Sequence, residues 1–392
     1  MQATIRLQLT AECGDRQAPE DAPHSGANSG EPVTPSKEAS EILSETIEQY
    51  TWAFNDVCYY GWHNNVSNGI KLHDATYKLH RGVTDLPSQL VCSARVKAAE
   101  AIKSTKALKK KGKLVSFPHS TSCPIRYDAR SYTVWWDKNE LSLTTIKGRL
   151  KFTFEVADYY SQYLDWKTTS ADLIKDRFGR WWLHVVKETD SPKIEQTTEV
   201  VGVDLGEINA ATDSRGNFYG DANWKDIEEK TFQLRRRLQS KGTKSAKRHL
   251  RKISRRQRRF RSDCDHVLSK RLVQSVSPGA TIVFEDLTNI RSNSKRRKQQ
   301  RRRFHNWSFK RFQQYVSYKA ERKGVLVDFV DPRYTSRKCS ACGHISRSNR
   351  PSQAVFCCRQ CSYSNHADIN ASINIREDYL KGKGLSAPPA SA

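Results

Sequence analysis

The chain has 392 residues, 37% of them hydrophobic, and carries 67 lysines and arginines against 42 acids for a formal net charge of +25. That length and composition predict two or three domains with modest cores, and the charge calls for a polyanionic partner, nucleic acid first, since every neutralised phosphate releases condensed counterion. No apolar run approaches the roughly 18 residues of a membrane-spanning helix and no secretory signal is visible, so no membrane partner is expected, and the expected compartment is the cytoplasm, where the ten cysteines serve as metal ligands or free thiols.

Thr4 to Leu9 alternates apolar and polar residues, which predicts a first strand within residues 1–10. Residues 11–33, rich in Gly, Pro, Ser, Ala and acids, read as a flexible loop. Residues 34–113 read as helical: Thr34-Pro35 is a helix start, Leu43, Ile47, Phe54 and Cys58 form one stripe, and Leu90, Ala94, Ala98 and Ile102 form another. The basic string Lys106 to Lys113 closes that region. Residues 114–198 then turn β-rich, with runs from Tyr132, Leu141 and Leu150 separated by turns at Asp137–Asn139 and Lys147-Gly148, and with a hairpin tip at Arg177–Arg180. Short strands at that spacing predict a small barrel or sandwich, completed by the N-terminal strand, with the helices inserted. Trp135, Trp136, Trp181 and Trp182 are expected to fill its core rather than to stack on bases.

From residue 199 strands alternate with helices, the pattern of an α/β domain through residue 334. The expected elements are a strand over Glu199–Asp204, a basic helical stretch over 226–276, a strand over Thr281–Glu285, a helix over Trp307–Lys323 and a strand over Val325–Val330. Phe309, Phe312, Val316 and Ala320 share one helical face and are assigned to packing. A cysteine-bearing segment (335–365), a final helix (366–380) and a flexible tail (381–392) follow. The fold class expected is multidomain α+β.

Three acids stand where a cation could be held. Asp204 and Glu285 each end a hydrophobic strand, where an unpaired carboxylate is costly, and Asp368 opens the last helix. Singly, each has an ordinary explanation: a water-facing strand end for the first two, and an N-cap for Asp368. Their order along the chain is that of ribonuclease-H-like folds, and hard oxygen ligands suit Mg2+ or Mn2+. Cys339-x-x-Cys342 and Cys358-x-x-Cys361, fifteen residues apart, have the spacing of a closed four-cysteine zinc site, to which His344 and His366 are surplus. Cys13, Cys58, Cys92, Cys123, Cys264 and Cys357 are read as incidental thiols. Two basic blocks, Arg235–Arg261 with Arg255, Arg256, Arg258 and Arg259, and Lys295–Arg303 with Arg296, Arg297, Arg301 and Arg302, would by default be solvated surface. Beside a phosphodiesterase site they become candidates for phosphate contact.

The runs VGVDLGEINAATD, FEDL, NWSFKRFQQYVSYKAERKGVLVDFVDPRYTSRKCSACGH and CCRQCSYSNHADINASINI make the chain resemble TnpB, the transposon-encoded RNA-guided nuclease family related to CRISPR type V effectors. The resemblance covers residues 200–376 in order and spacing, and the N-terminal half only in layout. It implies a β-barrel wedge domain, a helical recognition insertion, and an RNase H-like RuvC nuclease domain carrying a zinc ribbon. It further implies a guide RNA from the element's end, and a double-stranded DNA target bearing a short flanking motif. Magnesium-dependent, two-metal-ion hydrolysis of the target would fall to Asp204, Glu285 and Asp368, and structural zinc to Cys339, Cys342, Cys358 and Cys361. Residues 11–33 have no counterpart in the family, and Ser372 stands where alanine is more usual. The sequence leaves the oligomeric state open, with a monomer favoured. The alternatives are a miniature CRISPR type V effector, a non-cleaving RNA-guided repressor, and a strand-joining transposase.

Overall fold

A computed structural model describes residues 1–12, 35–206, 209–220, 222–288 and 309–384, and the chain divides into two units, Met1–Asp190 and Ser191–Ala392. In the first unit the alternation read from the N-terminus becomes β1 (Gln2–Glu12), with Ala3, Ile5, Leu7 and Leu9 all buried. Three helices follow, α1 (Lys37–His63), α2 (Gly69–Val83) and α3 (Ser88–Lys110). Ser36 caps α1 by accepting the Ala39 N–H at 3.1 Å. Both expected stripes, Leu43 to Cys58 and Leu90 to Ile102, are buried. The strands are β2 (Ile125–Tyr127), β3 (Tyr132–Trp135), β4 (Glu140–Thr145), β5 (Gly148–Glu155), β6 (Lys167–Lys175) and β7 (Trp181–Glu188). With β1 they make one antiparallel sheet in the order β2-β6-β7-β1-β5-β4-β3, and the helical stripes share a hydrophobic core with its inner face.

The expected barrel is only partly realised. Its end strands β2 and β3 share no ladder among the described residues, because β2 is three residues long and runs straight into the turn at Asp128–Ser131. The Tyr127 hydroxyl instead donates to the Thr144 carbonyl at 3.0 Å, so the sheet curls and is closed by side chains. Strand parity separates Trp181 from Trp182 on β7. Trp181 is buried and donates to Ser40 Oγ at 2.9 Å, and Trp136 packs edge-on against Phe154. Trp136, Trp182 and Trp135 are all half-buried, but Trp136 packs on the core whereas Trp182 lies beside the Arg6 and Arg180 guanidinium groups and Trp135 beside Lys151.

The second unit contains β8 (Val200–Asp204), β9 (Ala211–Asp213), β10 (Phe218–Tyr219), α4 (Ala222–Lys241), α5 (Lys244–Gln274), β11 (Thr281–Glu285), α6 (Phe309–Lys323), β12 (Leu326–Val330), β13 (Val355–Cys357), β14 (Ser364–His366) and α7 (Ala367–Gly382). Its main sheet runs β10-β9-β8-β11-β12, with β8, β11 and β12 parallel and β9 and β10 antiparallel. Two features depart from expectation. The β9–β10 hairpin was not foreseen, its strands being too short to show alternation, and Asp213 organises its turn by accepting the Arg215 and Asn217 N–H groups. The basic stretch 226–276 is two helices, broken at Gly242 (φ +63°) where Thr243 caps α5, and the Arg261–Glu228 ion pair then ties α5 back to α4. Residues 11–33 lie almost wholly outside the described residues.

Register and parity decide where the carboxylates go. Val283 of β11 is paired with Gly202 of β8, and both lie on the sheet face covered by α7, where Val283 packs with Ile375 and Tyr379. Two residues further along each strand, on the same face, stand Glu285 and Asp204. The opposite face packs Val201, Val203, Ile282 and Phe284 against α5 and α6, where Phe309, Phe312, Val316 and Ala320 are buried as expected. Gly202 lets α7 lie against the β8 backbone: a Cβ there would sit 2.2 Å from the Ser372 carbonyl oxygen and 2.6 Å from the Arg376 nitrogen. Gly202→Ala is therefore expected to destabilise the protein by at least about 1–3 kcal/mol, the cost of overpacking, seen as a lower urea midpoint.

Candidate functional site

The three acids meet where β8, β11 and α7 converge. Asp204 ends β8 half-buried, and its carboxyl is held well above the ordinary range, first by burial and then by the negative charges of Glu285 and Asp368. Glu285 ends β11 and is raised in turn by burial, against which the Thr335 hydroxyl donates to its Oε1. Its main-chain carbonyl accepts the Gln313 amide at 3.1 Å. Asp368 is buried in the first turn of α7, where its Oδ2 accepts the Asn209 amide at 3.1 Å and its Oδ1 pairs with Arg350 at 3.2 Å. It does not cap the helix. His366 does so, its Nδ1 accepting the Asp368 N–H at 3.2 Å, which leaves the Asp368 carboxylate to Asn209 and Arg350, within electrostatic reach of Asp204. Burying three like charges together is unfavourable unless they are protonated or neutralised by a cation. The all-oxygen donor set fits a hard divalent ion.

The cysteines form the second cluster. Cys339 and Cys361 sulfurs are 3.7 Å apart, Cys342 and Cys358 sulfurs are 3.6 Å apart, and all four lie within 4.8 Å of one another. A tetrahedral ion with arms of about 2.3 Å has edges of about 3.8 Å, whereas a disulfide needs about 2.05 Å, so the spacing is that of a metal-thiolate cage. Two equivalent knuckles build it. In the first, Gly343 (φ +78°) donates to the Cys339 carbonyl and Cys339 N–H to the His344 carbonyl. In the second, Ser362 (φ +59°) donates to the Cys358 carbonyl and Cys358 N–H to the Tyr363 carbonyl. Among the described residues this is the one group of His, Cys, Asp or Glu ligands converging that tightly.

Arg350, Thr335 and Asn209 escaped sequence reading. Arg350 sits between the cysteine pairs with no periodic signal to single it out, whereas Asn209 lies inside the VGVDLGEINAATD run and was within reach. Arg255, Arg256, Arg258 and Arg259 are exposed on α5. Arg296, Arg297, Arg301 and Arg302 lie outside the described residues.

These elements define a mixed α/β unit with a four-cysteine ribbon, and the fold is that of Cas12-type effectors. The cryo-EM structure of the Cas12f1–sgRNA–target DNA complex matches with a TM-score of 0.62 over 87% of this chain and 83% of that one, at 16% identity. By sequence, the family model OrfB_IS605 ("Probable transposase") matches residues 183–289, and the Cas12f1-like TNB domain matches residues 309–375. A CRISPR-associated endodeoxyribonuclease Cas12f1 of Sulfoacidibacillus thermotolerans is 44% identical over 118 residues, 30% of this chain and 26% of that protein. A TnpB-like protein of Aquifex aeolicus (strain VF5) is 38% identical over 113 residues, 27% of this chain and 37% of that protein. Another of Methanocaldococcus jannaschii is 32% identical over 152 residues, 38% of this chain and 54% of that protein. The resemblance to the TnpB family read from the motifs is thus borne out, and it extends to Cas12f. The chain spans about half or less of the length of these curated relatives. Among the described residues no helix is long and apolar enough to cross a membrane.

The raised carboxyls make a stability prediction. With Asp204 and Glu285 above their unfolded values, the folded cation-free protein binds more protons than the unfolded chain, so its stability falls as pH rises through that window. Removing one of the charges lifts that penalty. In calorimetry with chelator present, Asp204→Asn is expected to melt a few degrees above wild type at about pH 8, the gap shrinking towards the ordinary carboxylate range of about pH 4.

Proposed function

We propose that this chain is an RNA-guided DNA endonuclease of the transposon-encoded kind, cutting target DNA in a RuvC-type site. The convergence of Asp204, Glu285 and Asp368 at the carboxyl ends of two adjacent parallel strands and the start of α7 carries the reading. The names of the relatives, which include endodeoxyribonucleases and TnpB-like proteins, support it. So does the charge of +25, which suits a guide RNA and a double-stranded DNA target as partners.

In this reading Asp204, Glu285 and Asp368 hold Mg2+ or Mn2+, which when bound supplies an activated water and neutralises charge on the phosphodiester. The chain's own contribution is positional and electrostatic. Burial keeps the site's dielectric low, Asn209 orients Asp368, and Arg350 brings a guanidinium to the edge where a phosphate must lie. The exposed arginines of α5 grip backbone phosphates and confer no base specificity. Cys339, Cys342, Cys358 and Cys361 hold zinc, which has no open position and so organises the ribbon without entering the chemistry.

The Cas12f1-like match over residues 309–375 favours a second reading, a miniature CRISPR effector, equally well at the level of residues. The DNA flanking the gene, a transposon end or a repeat array, separates the two. A non-cutting repressor or a strand-joining transposase is separated by the products.

Wild-type protein with its co-purifying RNA is expected to make double-strand breaks in a matched plasmid in Mg2+. Asp204→Ala, Glu285→Gln and Asp368→Asn should each lower the rate by about 10³-fold or more while sparing RNA binding. No cutting by wild type would sink the reading, and joined ends without breaks would favour the transposase. Replacing Arg255, Arg256, Arg258 and Arg259 together by neutral residues should flatten the salt dependence of nucleic-acid binding by roughly 0.7–0.9 in log–log slope for each phosphate that these side chains neutralise. Metal analysis should return stoichiometric zinc, and stripping it should partly unfold residues 335–366.

A further inference from the structure

Buried hydrogen bonds join the lead-in to the first cysteine knuckle with the helix that carries Asp368. Thr335, 2% exposed, lies four residues before Cys339, and its hydroxyl donates to Glu285 Oε1. The Thr335 main-chain carbonyl accepts the Asn374 amide at 2.9 Å, and the same amide reaches the Lys338 carbonyl at 2.7 Å. One turn back on α7, Asn370 donates to the Lys338 carbonyl at 2.9 Å and accepts the Ser340 N–H at 3.0 Å. Both asparagines are essentially fully buried, 0% and 1% exposed, and Asn374 Oδ1 has no partner among the described residues.

Buried asparagines are poor residues for a helix interior, and a buried oxygen left unpaired costs stability. Neither expense is needed to pack α7 against the sheet, a task that Ile375 and Tyr379 perform. What the pair achieves is to hold residues 335–340 at a set height on α7, and with them the Thr335 hydroxyl. Glu285 needs such a hold. Its side chain has three rotatable bonds and projects from a strand end, and its carboxylate must face Asp204 and Asp368 rather than swing to solvent.

We propose that Thr335 is a positioning residue that orients the Glu285 carboxylate within the three-acid cluster, and that Asn374 sets its place by holding its main chain. This rests on the carboxylate cluster being a divalent-cation site, as read above. A hydroxyl that orients a ligand acts on cation affinity directly, whereas one that merely fills space acts through size, and the two are separable. Valine matches threonine in shape but lacks the hydroxyl; serine keeps the hydroxyl and drops the methyl.

The test is Mn2+ binding by electron paramagnetic resonance on the full chain, with Asp204→Ala defining the background and zinc content measured on every sample. Thr335→Val is expected to bind Mn2+ about 10–100-fold more weakly than wild type, as when a hydrogen-bond partner of a metal ligand is removed, with its zinc retained. Thr335→Ser should recover to within a few-fold of wild type. Equal affinity in Thr335→Val and wild type would overturn the proposal, as would a Thr335→Ser protein as weak as the valine variant, which would point to packing. Loss of zinc from Thr335→Val would also overturn it, by tracing the effect to ribbon folding. Wild type binding no more Mn2+ than Asp204→Ala would overturn the cation-site reading itself, a failure distinguishable from the others.

Discussion

The second unit turns on a contact made possible by a missing side chain. At Gly202 the last helix lies against the β8 backbone at a distance that even a methyl group would obstruct. That approach brings the first turn of α7, with Asp368, to the end of the strand that carries Asp204. The parallel register of β8 and β11 does the rest, setting Gly202 beside Val283 and therefore Asp204 and Glu285 on one face. Three residues separated by 81 and 83 positions along the chain meet because of a glycine and a strand register.

The cluster so formed is electrostatically unfavourable by itself, and the surrounding groups show how it is tolerated. Thr335 and Asn209 supply hydrogen bonds, and Arg350 supplies a positive charge from the ribbon. The ribbon suits that role, because between Asp331 and Asp368 it contains no acidic residue, so Arg350 finds no local carboxylate to claim it. The cysteine cage and the carboxylates are therefore neighbours in design as well as in sequence. The ribbon is folded by its knuckles, and its lead-in and its central arginine both end on the acids.

Much of this was legible beforehand. The helical stripes through Leu43 and Leu90, the strand ending at Glu285 and the two cysteine pairs each repeat a pattern whose period or spacing is itself the signal. The β9–β10 hairpin was not legible, since two- and three-residue strands carry no alternation. The break at Gly242 was masked by arginines and lysines recurring on both sides of it, a charge pattern that says nothing of helix ends. The capping of α7 by His366 reversed the ordinary expectation for Asp368, because which side chain takes the cap depends on where the preceding strand β14 delivers it. Closure of the first sheet by Tyr127 rather than by a ladder depended on the length of β2, three residues that show no pattern.

By itself the sequence determined which chemical groups are available: three acids at element ends, four thiols in paired knuckles, and a large excess of cations. These are local properties, set by residue type and spacing within one strand, turn or helix. Only the tertiary structure decided which groups meet. Asp204 feels Glu285 and Asp368, Arg350 reaches Asp368, and Thr335 reaches Glu285 through a strand register, a backbone approach and two buried asparagines. Such contacts join residues far apart along the chain, and no local periodicity encodes them.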